Sequence, residues 1–161
     1  MERLSALSRG MQLMLVGGVL LLIDTFLHWQ GVASVGISAW HGFWGVIMGL
    51  ALVALLAWMI ARLAGVKIPL PFSDTMLAAG LAGIVLLSAL IKNLADDYST
   101  KWSYIGIVLA GVLAGGAWLE VQAAGGVDVL RSEMSSMRKS EPPAPSEPPA
   151  EPLSGSGERA T

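Results

Sequence analysis

Asp24 stands near the end of an otherwise apolar run, residues 13–27, and is the residue of this sequence best placed to do chemistry. A carboxylate inside a bilayer costs roughly 2.5–3.5 kcal/mol on insertion scales unless something pairs with it. It therefore asks for a partner. His28 follows four residues later, on the same face if the helix continues, and His41 opens the next apolar run at similar depth. One Asp and two His make half a ligand set for zinc or another divalent ion. Asp96, Asp97 or water would have to complete the set of Asp24, His28 and His41. A simpler reading pairs Asp24 with Lys92, which lies near the end of the third apolar run and can snorkel toward water. By the same logic Glu120, late in the fourth run, pairs with Arg62 at the end of the second. These two ion pairs are the preferred expectation.

Other chemistries are weaker. His28 and His41 could be imagined as axial haem ligands, but a short connection between them is awkward for clamping a flat macrocycle. Asp24, Lys92 and Glu120 could serve a proton or ion relay, yet no ionisable residue stands between the two ends. A path would then need an oligomer. The sequence has no phosphate-binding glycine loop, no HExxH, no GxSxG and no nucleophile beside a base. Ser99, Thr100 and Ser103 read as loop and cap residues. Cysteine is absent, which removes thiolate ligands, thiol nucleophiles and disulfides together. The expectation is a protein with no catalytic residue, no cofactor and no metal.

The elements that must position these residues are apolar. Of 161 residues, 54% are hydrophobic and only 14% charged, with net charge −2, so no basic field points to nucleic acid. Segments at about 10–27, 42–64, 75–94 and 103–124 pass the length test of about 20 apolar residues. The first could alternatively be a signal peptide cleaved after Gly31-Val32-Ala33. Asp24, His28 and Trp29, lying between the apolar run and those small residues, argue against it. Arg3, Arg9, Arg62, Lys67, Arg131, Arg138 and Lys139 cluster on one side of the segments, which places both termini in the cytoplasm. Trp29, Trp40, Trp44, Tyr98, Trp102 and Tyr104 then mark the outer interface. Short connections, including Pro69 and Pro71 with Ser73 or Asp74 as cap, imply antiparallel neighbours. The fold expected over residues 1–126 is an all-α membrane protein, an up-down bundle of four transmembrane helices with both termini inside.

Small residues mark where helices meet closely: Gly45 with Gly49, Gly111 with Gly115, and Ala79 with Gly83. Packing within the chain is the first reading of these pairs, and a homo-oligomer or membrane-protein partner the second. Beyond Gly126, residues 127–139 carry Val127, Leu130, Met134 and Met137 at helical spacing and read as a juxtamembrane amphipathic segment on the cytoplasmic surface. Three basic residues there fall short of a strong anionic-lipid cluster, and Glu133 dilutes them. From Ser140 the sequence SEPPAPSEPPAEPLSGSGERAT reads as a disordered Pro/Glu-rich tail. A solubilising tail is the first reading, and a docking arm for a cytoplasmic partner the second.

The stretch Asp24-Thr25-Phe26-Leu27-His28-Trp29-Gln30 resembles the F-L-x-W end of the first helix in uncharacterised four-helix membrane proteins of actinobacteria and related bacteria. Ser38-Ala39-Trp40-His41-Gly42-Phe43-Trp44-Gly45 is similar to the start of their second helix. The turn Ile68-Pro69-Leu70-Pro71 and the loop Asp96-Asp97-Tyr98 are similar too. The likeness covers about residues 9–126 and implies a bacterial cytoplasmic-membrane protein without an assigned activity. His28 stands where many of those proteins carry Pro, so a histidine-based function is not implied as a family trait. The functional expectation is a non-enzymatic accessory or scaffold component of the cell envelope. A small oligomeric transporter or channel subunit, with Asp24 as its intramembrane acid, is the alternative.

Overall fold

The computed structural model describes residues 7–32, 35–66, 69, 73–95 and 99–139. Expectations resting on Arg3, Lys67, Ile68, Leu70, Pro71, Asp96, Asp97, Tyr98 and the tail from Ser140 lie outside the described residues. Within them the chain is mainly helical: α1 (Arg9–Asp24), α2 (Phe43–Leu63), α3 (Asp74–Ala95), α4 (Lys101–Ala123) and α5 (Val127–Lys139). Three of these, α2, α3 and α4, are long and apolar enough to cross a membrane.

The expectation of an all-helical chain needs one correction. Between α1 and α2 the chain forms an antiparallel hairpin, β1 (His28–Val32) and β2 (Val35–Ser38). The first helix therefore stops at Asp24 instead of running to about residue 27. At 16 residues it spans about 24 Å, less than the roughly 30 Å of a hydrocarbon core. Local hydrogen bonding accounts for the stop. The Thr25 hydroxyl donates to the Leu22 carbonyl at 2.6 Å. The Phe26 and Leu27 amides then reach back only three residues, to Ile23 and Asp24. Such tight bonds close a helix end and turn the chain.

Helix ends elsewhere follow known chemistry. Ser8 caps α1, its hydroxyl accepting from the Met11 amide at 3.1 Å, and Ser73 caps α3 in the same way through the Met76 amide at 3.2 Å. The C-terminus of α2 closes with Gly65 donating to Arg62 and Val66 donating to Ala61, the paired bonds of a Schellman motif. Gly65 sits at φ +77°, a region costly for any residue with a Cβ.

The long helices alternate in direction wherever contacts define it. Ser103 Oγ donates to Asn93 Oδ1 at 3.0 Å, joining the start of α4 to the end of α3. Arg62 Nε lies 3.7 Å from Asp74 Oδ2, joining the end of α2 to the start of α3. On α1, Gly10 lies against Gly116 and Gly17 against Leu113, so α1 runs antiparallel to α4. The core between them is a stack of single-face residues. Met48, Leu52, Leu55 and Met59 come from α2, Ala78, Ala82, Val85 and Ala89 from α3, and Ala110, Leu113 and Ala117 from α4. Spacings of three and four put each set on one stripe, and the alanines of α3 let backbones approach closely.

Candidate functional site

Polar side chains bury themselves mainly at the hairpin end of the helices. Asp24, Thr25, Lys92 and Ser103 are all at most 4% exposed. A β-bulge between His28 and Gln30 interrupts the hairpin register there. A bulge re-aims a side chain, and here it sends Trp29 inward, where its ring is 1% exposed. The indole Nε1 donates to Asp24 Oδ2 at 2.9 Å and also to the Asp24 carbonyl at 3.0 Å. Gly106 of α4 provides the floor. A Cβ at that position would come within 2.1 Å of the Trp29 ring and 2.7 Å of Asp24 Oδ2. The other carboxylate oxygen, Oδ1, is buried with no hydrogen-bond partner among the described residues.

Three further ties fasten the hairpin. The Thr100 amide donates to the Trp29 carbonyl at 3.0 Å, beside a bridge between Gln30 and Ser99. Trp40 Nε1 donates to Thr25 Oγ1 at 3.1 Å while its ring packs over Gly49. Lys92 Nζ donates to the His41 carbonyl at 2.9 Å. The hairpin is thus bound to α1 through Trp29 and to the α4 entrance through Thr100, and the segment after it is bound to α3.

Several expectations change on this geometry. Asp24 hydrogen-bonds the Trp29 indole rather than pairing with Lys92, because the chain folds Trp29 in from five residues away. Asp24 and His28 do not share a helix face, since the helix has ended before His28 enters β1. His28 lies over Gly36, where a Cβ would meet its ring at 1.5 Å, and His41 is exposed. Among the described residues no group of three or more His, Asp or Glu side chains is placed to hold a metal ion. At the far end, Glu120 accepts from the Ser8 hydroxyl, and the carboxylate beside Arg62 is Asp74 rather than Glu120. Arg62 also lies over the Trp58 ring, 5.5 Å from its centroid.

The glycine pairs divide. Gly45 packs on the Ala39 carbonyl and Gly49 on Trp40, both within the chain. Gly111 and Gly115 face open space on α4, whereas Gly106 and Gly116 make its close approaches. Sequence reasoning missed the hairpin, although β-branched Val32, Val35 and Ile37 around a two-residue connection carried a faint strand signal. It also missed Trp29 as the partner of Asp24.

A hollow of about 120 Å³ opens beside Lys92, lined by Gln30, His41, Phe43, Trp44 and Ala95. At about 30 Å³ per water it has room for a few water molecules and is well below the roughly 300 Å³ of a typical organic-ligand pocket. A second hollow, about 290 Å³ at the far end, is lined by Ser8, Met11, Arg62 and Glu120 among others. No protein-family model, curated protein or solved structure matches this chain.

Proposed function

We propose that the chain is a non-enzymatic, multi-pass protein of a bacterial cytoplasmic membrane, an accessory or scaffold component of the cell envelope. On this reading α1 crosses together with α2, α3 and α4 as an up-down four-helix bundle with both termini in the cytoplasm. The observation that carries the reading is the use of the polar groups at the hairpin end. Trp29, Trp40, Thr100 and Lys92 all serve to clamp an outer β-hairpin onto the helices. A rigid capped bundle suits presentation of surfaces better than turnover of a substrate.

Mass spectrometry of proteins copurifying from native membranes tests it, comparing the full chain with one ending at Ser140. The scaffold reading expects a specific set of envelope proteins, and loss of some with the tail would identify the tail as the docking arm. Background-level sets from both chains would count against it.

Two observations favour the alternative of an oligomeric transporter or channel subunit: Asp24 Oδ1, buried with no hydrogen-bond partner among the described residues, and the outward Gly111 and Gly115. Ion flux in liposomes that disappears in Asp24→Asn, with the fold intact, would establish it instead.

A further inference from the structure

Helix α5 leaves α4 through Gly125 and Gly126, at φ +113° and +84°, which turn the chain out of the α4 axis. A hydrogen bond ties it to the start of α3: Ser73 Oγ donates to Glu133 Oε2 at 2.6 Å. Ser73 is also the cap of α3, a membrane-length helix that begins at Asp74. The bond therefore holds α5 at the level where α3 leaves the apolar layer. It also fixes the roll of α5. Val129, Leu130 and Glu133 line a hollow of about 190 Å³ with Ser73 and Thr75, so that flank faces the long helices. Val127 and Met134, on the neighbouring stripe, stay 47% and 52% exposed. Arg131 is exposed, four residues from Val127 and three from Met134, so it borders the stripe on the side away from Glu133. Asp128, Ser132 and Ser135 fall on the face away from the stripe.

We propose that α5 is a lipid-reading arm: its Val127–Met134 stripe lies in the headgroup region, and Arg131 at its border favours anionic lipid. From composition alone Glu133 cancels part of the basic charge. The structure turns that carboxylate toward Ser73, on the flank away from Arg131, so the charged group that borders the stripe is the Arg131 guanidinium. Apolar contact and attraction to anionic headgroups then act together, as in interfacial helices. The proposal rests on the reading that α3 and α4 cross a membrane.

The absence of cysteine makes the test direct. Single substitutions Val127→Cys, Met134→Cys, Ser132→Cys and Ser135→Cys in the full chain each carry an environment-sensitive fluorophore. The labelled proteins are reconstituted into vesicles of phosphatidylcholine alone or mixed with phosphatidylglycerol. Labels at 127 and 134 should be quenched several-fold less by a neutral aqueous quencher than those at 132 and 135. The protection should grow with phosphatidylglycerol, and Arg131→Glu should abolish that growth. Ser73→Ala, by freeing Glu133, should reduce it. Equal quenching at all four positions overturns the proposal, as does protection indifferent to lipid charge. Protection found in native membranes but not in vesicles overturns it too, and assigns the stripe to a protein partner. A label at Leu87→Cys, on the exposed face of α3, separates the two failures. If Leu87 is shielded while α5 is not, only the lipid arm fails; if Leu87 is also quenched, the membrane-spanning reading fails with it.

Discussion

At the scale of single residues, Asp24 shows how a buried acid can be held without a cation as its hydrogen-bond partner. Trp29 donates one N–H, shared between Oδ2 and the Asp24 carbonyl, and the second oxygen is unpartnered among the described residues. An asparagine keeps the acceptor that the indole needs and removes a poorly solvated carboxylate. Asp24→Asn should therefore fold with a thermal midpoint in detergent close to that of the parent chain. Asp24→Ala removes the side-chain acceptor and leaves the indole only its carbonyl bond, a loss worth about 1–2 kcal/mol. Thermal melts followed by tryptophan emission distinguish the two. A large loss in Asp24→Asn, equal to that of Asp24→Ala, would mean that a cation holds the carboxylate after all. Lys92, buried at the same end, reaches a backbone carbonyl of the segment that leads into α2.

At the scale of elements, the informative contrast lies along α4. Gly106 supports the Trp29 ring and Gly116 meets the backbone of α1, while Gly111 and Gly115 meet nothing among the described residues. A methyl group at Gly106 cannot be absorbed by a flexible side-chain tip, because the indole is pinned by its hydrogen bonds and fully buried. Gly106→Ala should cost toward the upper end of the roughly 1–3 kcal/mol typical of overpacking, and it should release the hairpin. Gly115→Ala should leave the monomer's stability nearly unchanged. Hydrogen exchange of the hairpin amides checks this, with fast exchange expected in Gly106→Ala alone. Comparable protection in both variants would show that the hairpin does not depend on the Trp29 seat.

At the scale of the whole molecule, the proposed four crossings require a 16-residue α1 to share a membrane with neighbours of 21 to 23 residues. On that reading the hairpin, which packs over the end of α1, makes up the remaining depth with Trp29 and Trp40. Cysteines introduced singly at Arg9, Gly31 and Ser136, all exposed, report the arrangement through an impermeant thiol reagent on intact cells. The proposed topology expects Gly31→Cys to react at once, and Arg9→Cys and Ser136→Cys only after permeabilisation. Reaction of Arg9→Cys together with Gly31→Cys would reduce the crossings to three, with α1 lying wholly on one side.

The long apolar helices were legible in the sequence because transfer into lipid adds residue by residue along the chain. Any window of sufficient length announces itself, as the segments of α2, α3 and α4 did. Ser73 as cap and the helical spacing of Val127, Leu130 and Met134 are equally local and could be read the same way. The site was not local. Whether Asp24 meets Trp29 or Lys92 depends on a bulge that turns one side chain inward, and on Gly106 leaving space for it from a distant helix. Whether a glycine pair seals a helix contact or faces outward depends on the rotation of each helix about its axis. That rotation is set by all of its neighbours together, so Gly111 and Gly115 look no different in sequence from Gly45 and Gly49. Sequence determined which segments are apolar helices; the tertiary structure alone decided which polar groups satisfy one another where those helices end.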